Sequence, residues 1–277
     1  MGETRVHSLF GSSIEHSLSP VIFNTTFQKL SMKCVYLPFQ VGKNRLKNAV
    51  DAARTLGFGG FNVTMPHKTG ILDLVDRVDS VAKKGGSVNT VAKVGPQLVG
   101  YSTDGEGALR AIKSYGCEPV DINVLVIGAG GAARAVVQRL STKHNSVRIL
   151  NRSAGKARRL AENLNGRGSA SFGGLTRKNL EASIPGTNLL VNATPVQTAR
   201  ILSDLAIPSQ RLEEVDWVFD LAYDQPPKHL PTRSGRISPL EMLLQQAALS
   251  FEIWFGKPAP FTLMRSSLVD HLGGDWK

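Results

Sequence analysis

At 277 residues, with 42% hydrophobic and 20% charged side chains, the chain can support two cores or one large one, and its composition is that of a globular protein, not a disordered or fibrous one. A net charge of +11 admits nucleic acid, an acidic membrane or small anions as partners, but the cations are dispersed apart from short clusters such as Lys83-Lys84 and Arg152 to Arg159, and aromatics make up only 6%. Without a basic tract interleaved with stacking aromatics, a signal-type leader or an apolar run of about 18 residues, the expectation is a cytoplasmic protein with neither a nucleic-acid nor a membrane partner.

Apolar runs at Val6 to Phe10, Val35 to Phe39 and Gly60 to Val63 alternate with helical stretches at Pro20 to Leu30 and Asn44 to Leu56. That β-α-β-α order implies a mostly parallel sheet. The third run enters Asn62-Val63-Thr64-Met65-Pro66-His67-Lys68, a strand end with a proline stop and a lysine set to open the next helix. On so rigid a frame Asn62, Thr64 and Lys68 can converge on a bound molecule, with Lys68 the candidate for proton transfer. The alternative is an ordinary turn with a solvated lysine. Ser87 to Val94 and Gln97 to Tyr101, separated by Gly95-Pro96, read as a hairpin or strand pair, and Asp104 is placed to N-cap a helix through Tyr115.

A second unit opens at Asn123 to Ile127, a continuous apolar strand feeding Gly128-Ala129-Gly130-Gly131-Ala132-Ala133, with a helix continuing from Arg134 to Leu140. Further strands at Ser146 to Leu150, Asn188 to Val191 and Trp217 to Leu221 give a doubly wound dinucleotide-binding arrangement. Gly128 permits the tight turn, Gly130 lets the backbone approach a pyrophosphate, and the helix amino terminus offers it free N–H groups. After the second strand, where an acidic residue would hold the ribose of NAD, stand Asn151-Arg152-Ser153-Ala154-Gly155-Lys156. Arg152 can pair with a 2′-phosphate and Lys156 adds charge one turn along, which favours NADP(H). Ser153 as a helix cap with both cations facing water is the plainer reading, compatible with the first.

From Pro239 the chain is helical again, with Met242, Leu243, Gln246, Ala247, Phe251 and Trp254 at helical spacing, then a last helix from Phe261 to Leu272. These two helices are placed to return over the first sheet. Cys34 and Cys117 have neither metal-ligand nor redox spacing and read as buried reduced thiols. The triplets at Asn24, Asn62, Asn151 and Asn192 match a glycosylation acceptor and need another explanation in a cytoplasmic chain.

In this order the motifs resemble the shikimate dehydrogenase family, over about Gly11 to Gly256. The resemblance rests on Gly11 with His16-Ser17-Leu18-Ser19-Pro20, the Asn62 to Lys68 segment, Val88-Asn89-Thr90, Thr103-Asp104-Gly105 and the Gly128 to Ala133 turn. Asn151-Arg152, Asn192-Ala193-Thr194 and Glu241-Met242-Leu243 leading to Gln246-Ala247-Ala248 extend it. It implies NADP(H)-dependent interconversion of 3-dehydroshikimate and shikimate in aromatic amino-acid biosynthesis. Ser17 and Ser19 would bind the substrate carboxylate at a Pro-opened helix amino terminus, against an ordinary cap as the alternative. Asn62, Thr64, Asn89, Asp104, Tyr223 and Gln246 would bind the substrate, several of them through its ring hydroxyls, and Lys68 would donate and accept the proton with Asp104 orienting it. Cofactor contacts would come from Gly128, Ala129, Gly130, Gly131 and Ala132, and from Asn151, Arg152, Ser153 and Lys156. Thr194 and Pro239 would lie beside the nicotinamide, with Leu221 and Met242 also among the cofactor residues.

The chain departs from the family pattern at Pro195-Val196-Gln197, where a serine and then a glycine are more usual, at Pro239 in place of glycine, and at Phe23 where histidine is common. The resulting expectation is a two-domain α/β enzyme, monomeric or homodimeric. Residues 1 to 104 and 239 to 277 would form a substrate domain and 105 to 238 a Rossmann NADP domain, with the site in the cleft between them. A quinate/shikimate dehydrogenase with the same machinery, and a non-catalytic ligand sensor on the same fold, remain as alternatives; the presence of both Lys68 and Asp104 speaks against the sensor.

Overall fold

The computed structural model describes residues 4–164, 169–222 and 230–273. Two compact units divide the chain, Met1–Gly107 with Leu243–Lys277, and Ala108–Met242. In order come β1 (Arg5–Gly11), α1 (Ser19–Lys29), β2 (Cys34–Gln40), α2 (Leu46–Thr55), β3 (Gly60–Val63), β4 (Arg77–Val78), α3 (Ser80–Gly85), β5 (Thr90–Val94), β6 (Gln97–Tyr101) and α4 (Asp104–Ser114). There follow β7 (Asn123–Ile127), α5 (Gly131–Leu140), β8 (Ser146–Asn151), α6 (Ala154–Glu162), β9 (Ser169–Gly174), α7 (Arg177–Glu181), β10 (Leu189–Asn192), α8 (Thr198–Asp204), β11 (Trp217–Asp220), β12 (Gly235–Ile237), α9 (Pro239–Phe255) and α10 (Phe261–His271).

The first sheet has the order β2-β1-β3-β5-β6-β4, with β1, β2 and β3 parallel and β5 reversed against both of its neighbours. Alternation along the strands sorts side chains between its faces. Phe10, Phe61, Val63 and Val91 join Val50 and Ala53 of α2 in one apolar core. His7, Tyr36, Asn62 and Thr90 point the other way, toward α1 and α9. There Phe23 stacks on Tyr36 with ring centroids 4.6 Å apart, and His7 lies 5.9 Å from Phe27, 4.8 Å from Trp254 and 5.2 Å from Phe255. Phe23 thus fills an aromatic site, a physical reason for its departure from histidine. His7 is fully buried, and among the described residues neither of its ring nitrogens has a hydrogen-bond partner. Burial, helped by the Arg5 charge, pushes its pKa down to about 4.

All six strands of the second sheet are parallel, in the order β12-β11-β10-β7-β8-β9. Read from the other side this is the 3-2-1-4-5-6 order of a doubly wound nucleotide-binding sheet. Val124 and Val126 pack with Ala133 and Ile149 on one face, and Leu125 and Ile127 with Leu150, Leu190 and Ile201 on the other. Burial on both faces explains why β7 is an unbroken apolar run, and each such side chain contributes about 1.5–3 kcal/mol.

Local differences from expectation have local causes. Asp104 is the first residue of α4, not the residue before it, because the helix bonds begin from Gly107 N to the Thr103 carbonyl at 2.8 Å; its carboxylate makes the side-chain bonds described below. Lys68 lies in a turn ahead of a short 3-10 helix, Gly70–Asp73, so it does not itself open a helix. Ser153 occupies the cap position of α6, but its hydroxyl makes no capping bond. The strand expected from Ser87 begins at Thr90, since ahead of it the Ser87 and Val88 N–H groups bond the Ala82 and Lys68 carbonyls instead of a neighbouring strand. Cys117 is buried but Cys34 only partly so; both are free, and burial pushes the Cys117 thiol up to about 11 and raises that of Cys34.

The four asparagine triplets prove to be brackets. Asn24 of α1 accepts from the Tyr36 N–H at 2.8 Å and donates to the Tyr36 carbonyl at 2.9 Å. Asn62 and Asn192 tie buried networks, and Asn151 donates to the Ser153 carbonyl at 3.1 Å.

Candidate active site

Strand direction gathers the first unit's polar residues at one sheet edge. Phe10 and Val63 pair at the carboxyl ends of β1 and β3, so the α1 amino terminus and the segment from Thr64 both leave the sheet there. Because β5 is reversed, Asn89 before it and Asp104 after β6 come to the same edge. Lys68 Nζ donates to Asp104 Oδ2 at 2.6 Å, with side-chain exposures of 17% and 5%. Asn89 Nδ2 donates to Asp104 Oδ1 at 3.1 Å, to Thr103 Oγ1 at 2.8 Å and to Gln246 Oε1 at 3.3 Å, while its side-chain Oδ1 accepts from the Thr103 N–H at 2.7 Å. The Lys68 carbonyl accepts from Val88 N at 2.8 Å, and buried His67 pairs with the Val41 carbonyl at 2.8 Å, so the turn carrying Lys68 is held from both sides.

Ser17 and Ser19 flank the start of α1, where Leu18 is the cap residue and Pro20 stands in the first turn. The Ser17 hydroxyl accepts from the Ser19 N–H at a long 3.4 Å. Among the described residues the Ser19 and Thr64 hydroxyls have no side-chain partner, so both are available to a ligand. Asn62 departs from the expectation of convergence on a ligand: it is 7% exposed, its Oδ1 accepts from Tyr36, and its amide N–H groups face Asn89, Thr90 and Ser250. Tyr223 lies outside the described residues.

In the second unit the carboxyl ends of β7, β8, β10 and β11 supply the candidate cofactor residues. Gly128 has φ +115°, and a Cβ there would come 3.0 Å from the Ala193 carbonyl oxygen across the point where strand order reverses. At Gly130 a Cβ would meet nothing within 4 Å, so the α5 amino terminus is open to a phosphate, and no side chain caps it. Gly131 and Ala132 form the first turn of α5, and Ala129 packs into the core. Past β8, Arg152 and Lys156 are exposed and have no ion-pair partner among the described residues. These features fit a dinucleotide bearing a 2′-phosphate.

Thr194 begins a loop closed on itself: Asn192 and Thr194 side chains both donate to the Val196 carbonyl, at 2.6 and 2.9 Å. Pro195 lacks an N–H, and none is needed there. Pro239 is the first residue of α9, where its fixed φ suits a helix start. Leu221 packs against the core, and Met242 is only 8% exposed within it, so the Met242 side chain serves packing first. A residue outside the sequence expectation, Asp220, accepts at Oδ1 from Asn192 (2.7 Å) and from Thr198 N (2.9 Å) and Oγ1 (2.7 Å), fixing that loop. Its signal is a carboxylate at the end of an apolar strand.

A doubly wound unit with an open glycine turn, together with a unit bearing a lysine–carboxylate pair beside free hydroxyls, defines a dinucleotide-dependent α/β oxidoreductase. Family models for the shikimate dehydrogenase substrate binding domain, shikimate / quinate 5-dehydrogenase and the shikimate 5′-dehydrogenase C-terminal domain match residues 9–91, 113–226 and 240–269. Shikimate dehydrogenase (NADP+) of Methanopyrus kandleri is 38% identical, covering 98% of this chain and 97% of that one. A crystal structure of a shikimate dehydrogenase in complex with NADP+ superposes with TM-score 0.84 at 33% identity, covering 97% and 96%. The Thermus thermophilus enzyme in complex with NADP(H) and shikimate gives TM-score 0.79 at 29% identity, covering 96% and 99%. The chain belongs to the shikimate dehydrogenase family.

Proposed function

We propose that this protein interconverts 3-dehydroshikimate and shikimate with NADP(H), in aromatic amino-acid biosynthesis. The observation that carries the reading is the Lys68–Asp104 contact at 2.6 Å, braced by Asn89 and left partly open on the Lys68 side. NADP(H), when bound, supplies or takes up the hydride. In the reducing direction Lys68 Nζ donates the proton to the ring oxygen and stabilises the charge developing there; in reverse it accepts the hydroxyl proton. Asp104 keeps the ammonium in place through Oδ2 and is itself oriented through Oδ1. Ser17, Ser19 and the α1 amino terminus take the carboxylate, and Thr64, Asn89 and Gln246 the ring hydroxyls, with Tyr223 assigned alongside them from the family pattern. Arg152 and Lys156 take the 2′-phosphate. A cytoplasmic location and a monomeric or homodimeric state belong to the same reading, and the free cysteines accord with a reducing compartment.

Lys68→Ala and Lys68→Met test it. Loss of acid–base help should lower kcat about a hundredfold to ten-thousandfold while the shikimate KM changes little. The comparison is made on folded protein with NADP binding verified. Near-normal kcat in both variants across the pH range would remove Lys68 from the chemistry.

A further inference from the structure

Behind Asn89 and Gln246 lies a polar cluster that the reaction does not directly use. Tyr36 and Thr90 are fully buried, as is Ser250, and Asn62 is nearly so, on a sheet face otherwise filled by aromatic rings. Polar groups in such a place add little net stability over apolar packing even when fully bonded, and they specify one arrangement. We propose that Thr90 and Ser250, backed by Asn62 and Tyr36, are positioning residues that set the separation of the two substrate-facing amides, Asn89 and Gln246. The inference rests on the reaction assigned above.

Connectivity carries the argument. Thr90 Oγ1 and Ser250 Oγ are 2.9 Å apart, joining β5 to α9 across 160 positions of sequence. That bond lies one residue from Asn89 and one helical turn from Gln246. Ser250 Oγ donates to the Gln246 carbonyl at 2.9 Å, and Thr90 Oγ1 reaches Asn89 Oδ1 at 3.3 Å. Asn62 Nδ2 faces the Asn89 main-chain carbonyl at 3.1 Å, Thr90 Oγ1 at 3.0 Å and Ser250 Oγ at 3.1 Å, more acceptors than its two hydrogens can serve. The two hydroxyls have two protons for three contacts, with each other, the Gln246 carbonyl and Asn89 Oδ1, so a change at one is passed to the others. The Tyr36 hydroxyl donates to Asn62 Oδ1 at 2.9 Å and holds that amide the right way round. Asn89 is in the same position, with three acceptors for two hydrogens, one of them Asp104 Oδ1. A tilt of the Asn89 amide would therefore be felt at the Lys68–Asp104 pair.

Thr90→Val, Ser250→Ala, their combination and Thr90→Ser, assayed with shikimate and NADP+, test the proposal. Each of the first two should lower kcat/KM for shikimate about tenfold or more, move the pH profile of kcat/KM, and leave the NADP+ KM unchanged. Since the two hydroxyls bond each other, the double variant should lose less than the product of the single losses, and Thr90→Ser should behave as the unmodified protein. Variants that lower the melting temperature but keep kcat/KM and its pH profile would reduce the cluster to a stability role and overturn the proposal; so would equal losses for shikimate and NADP+, or no rescue by serine. An unmodified protein that neither turns over nor binds shikimate would instead overturn the substrate assignment, which is read before any variant is compared.

Discussion

The role proposed for Arg152 is that of one residue choosing between two cofactors. A carboxylate at this strand end would repel a 2′-phosphate, whereas an exposed guanidinium with no ion-pair partner among the described residues can meet it with paired hydrogen bonds. Arg152→Ala should weaken NADP+ roughly tenfold to a hundredfold and NAD+ hardly at all, read from titrations of both cofactors; equal losses would place the phosphate elsewhere. The place of Arg152 was legible in the sequence, because it needs only a position after β8, and the structure leaves it exposed there. The sequence pairs Lys68 with Asp104 only through the family resemblance and not through spacing, since 36 positions separate them and it is the reversal of β5 that returns β6 to the same edge. Thr90 belongs to the Val88-Asn89-Thr90 motif but carried no sign of its link to Ser250, and Ser250 carried no signal at all. A threonine opening a strand and a serine one turn past Gln246 look ordinary until α9 comes back to the first sheet. Asn62 misled for the opposite reason: it stands beside the proline turn, yet alternation along β3 turns its amide inward.

At the scale of elements, β2 shows how the first sheet protects its edge. Tyr36 directs its N–H and carbonyl away from β1, and both are consumed by Asn24. Two residues on, Pro38 has no N–H to offer, so the outer side of β2 is a poor template for another strand. Asn24→Ala would strip both Tyr36 groups at once. Stability should fall by about 1–3 kcal/mol, measured as a lower urea midpoint, and concentration-dependent association should rise in light scattering as the edge opens. A lower midpoint with no association would mean that Pro38 suffices as the guard. The long apolar or periodic elements, β1, β7, α2 and α9, follow from hydrophobic pattern alone, and so does the glycine turn that ends β7. The pattern offers no hint of β9, whose Ser169–Gly174 run has a single large apolar residue, or of β12, three residues long. Those strands exist because neighbours already in the sheet offer them a ladder to pair with.

For the molecule as a whole, separate apolar cores in the two units mean that stability need not respond to conditions uniformly. The first unit carries an acid-sensitive group in His7. Its pKa in the fold is about 4 against an ordinary 6.5, because the aromatic surroundings exclude water and Arg5 adds repulsion. A depressed pKa means that the unfolded chain binds a proton which the folded chain refuses. The associated stability is therefore complete above pH 6.5, falls as pH drops below it, and is gone once pH passes about 4. The difference corresponds to about 3 kcal/mol for a fully buried imidazole. Hydrogen exchange corrected for intrinsic rates should show β1, α1 and α9 losing protection over this range ahead of β7 and β8. His7→Leu supplies an apolar side chain of similar size that takes no proton, so its stability should vary less with pH than that of the unmodified protein, even if its absolute value is lower. If both proteins lose stability in parallel from pH 6.5 to 4.5, His7 is not the acid-sensitive group, and carboxylates such as Asp76, held below their ordinary range by Arg54, take over that role.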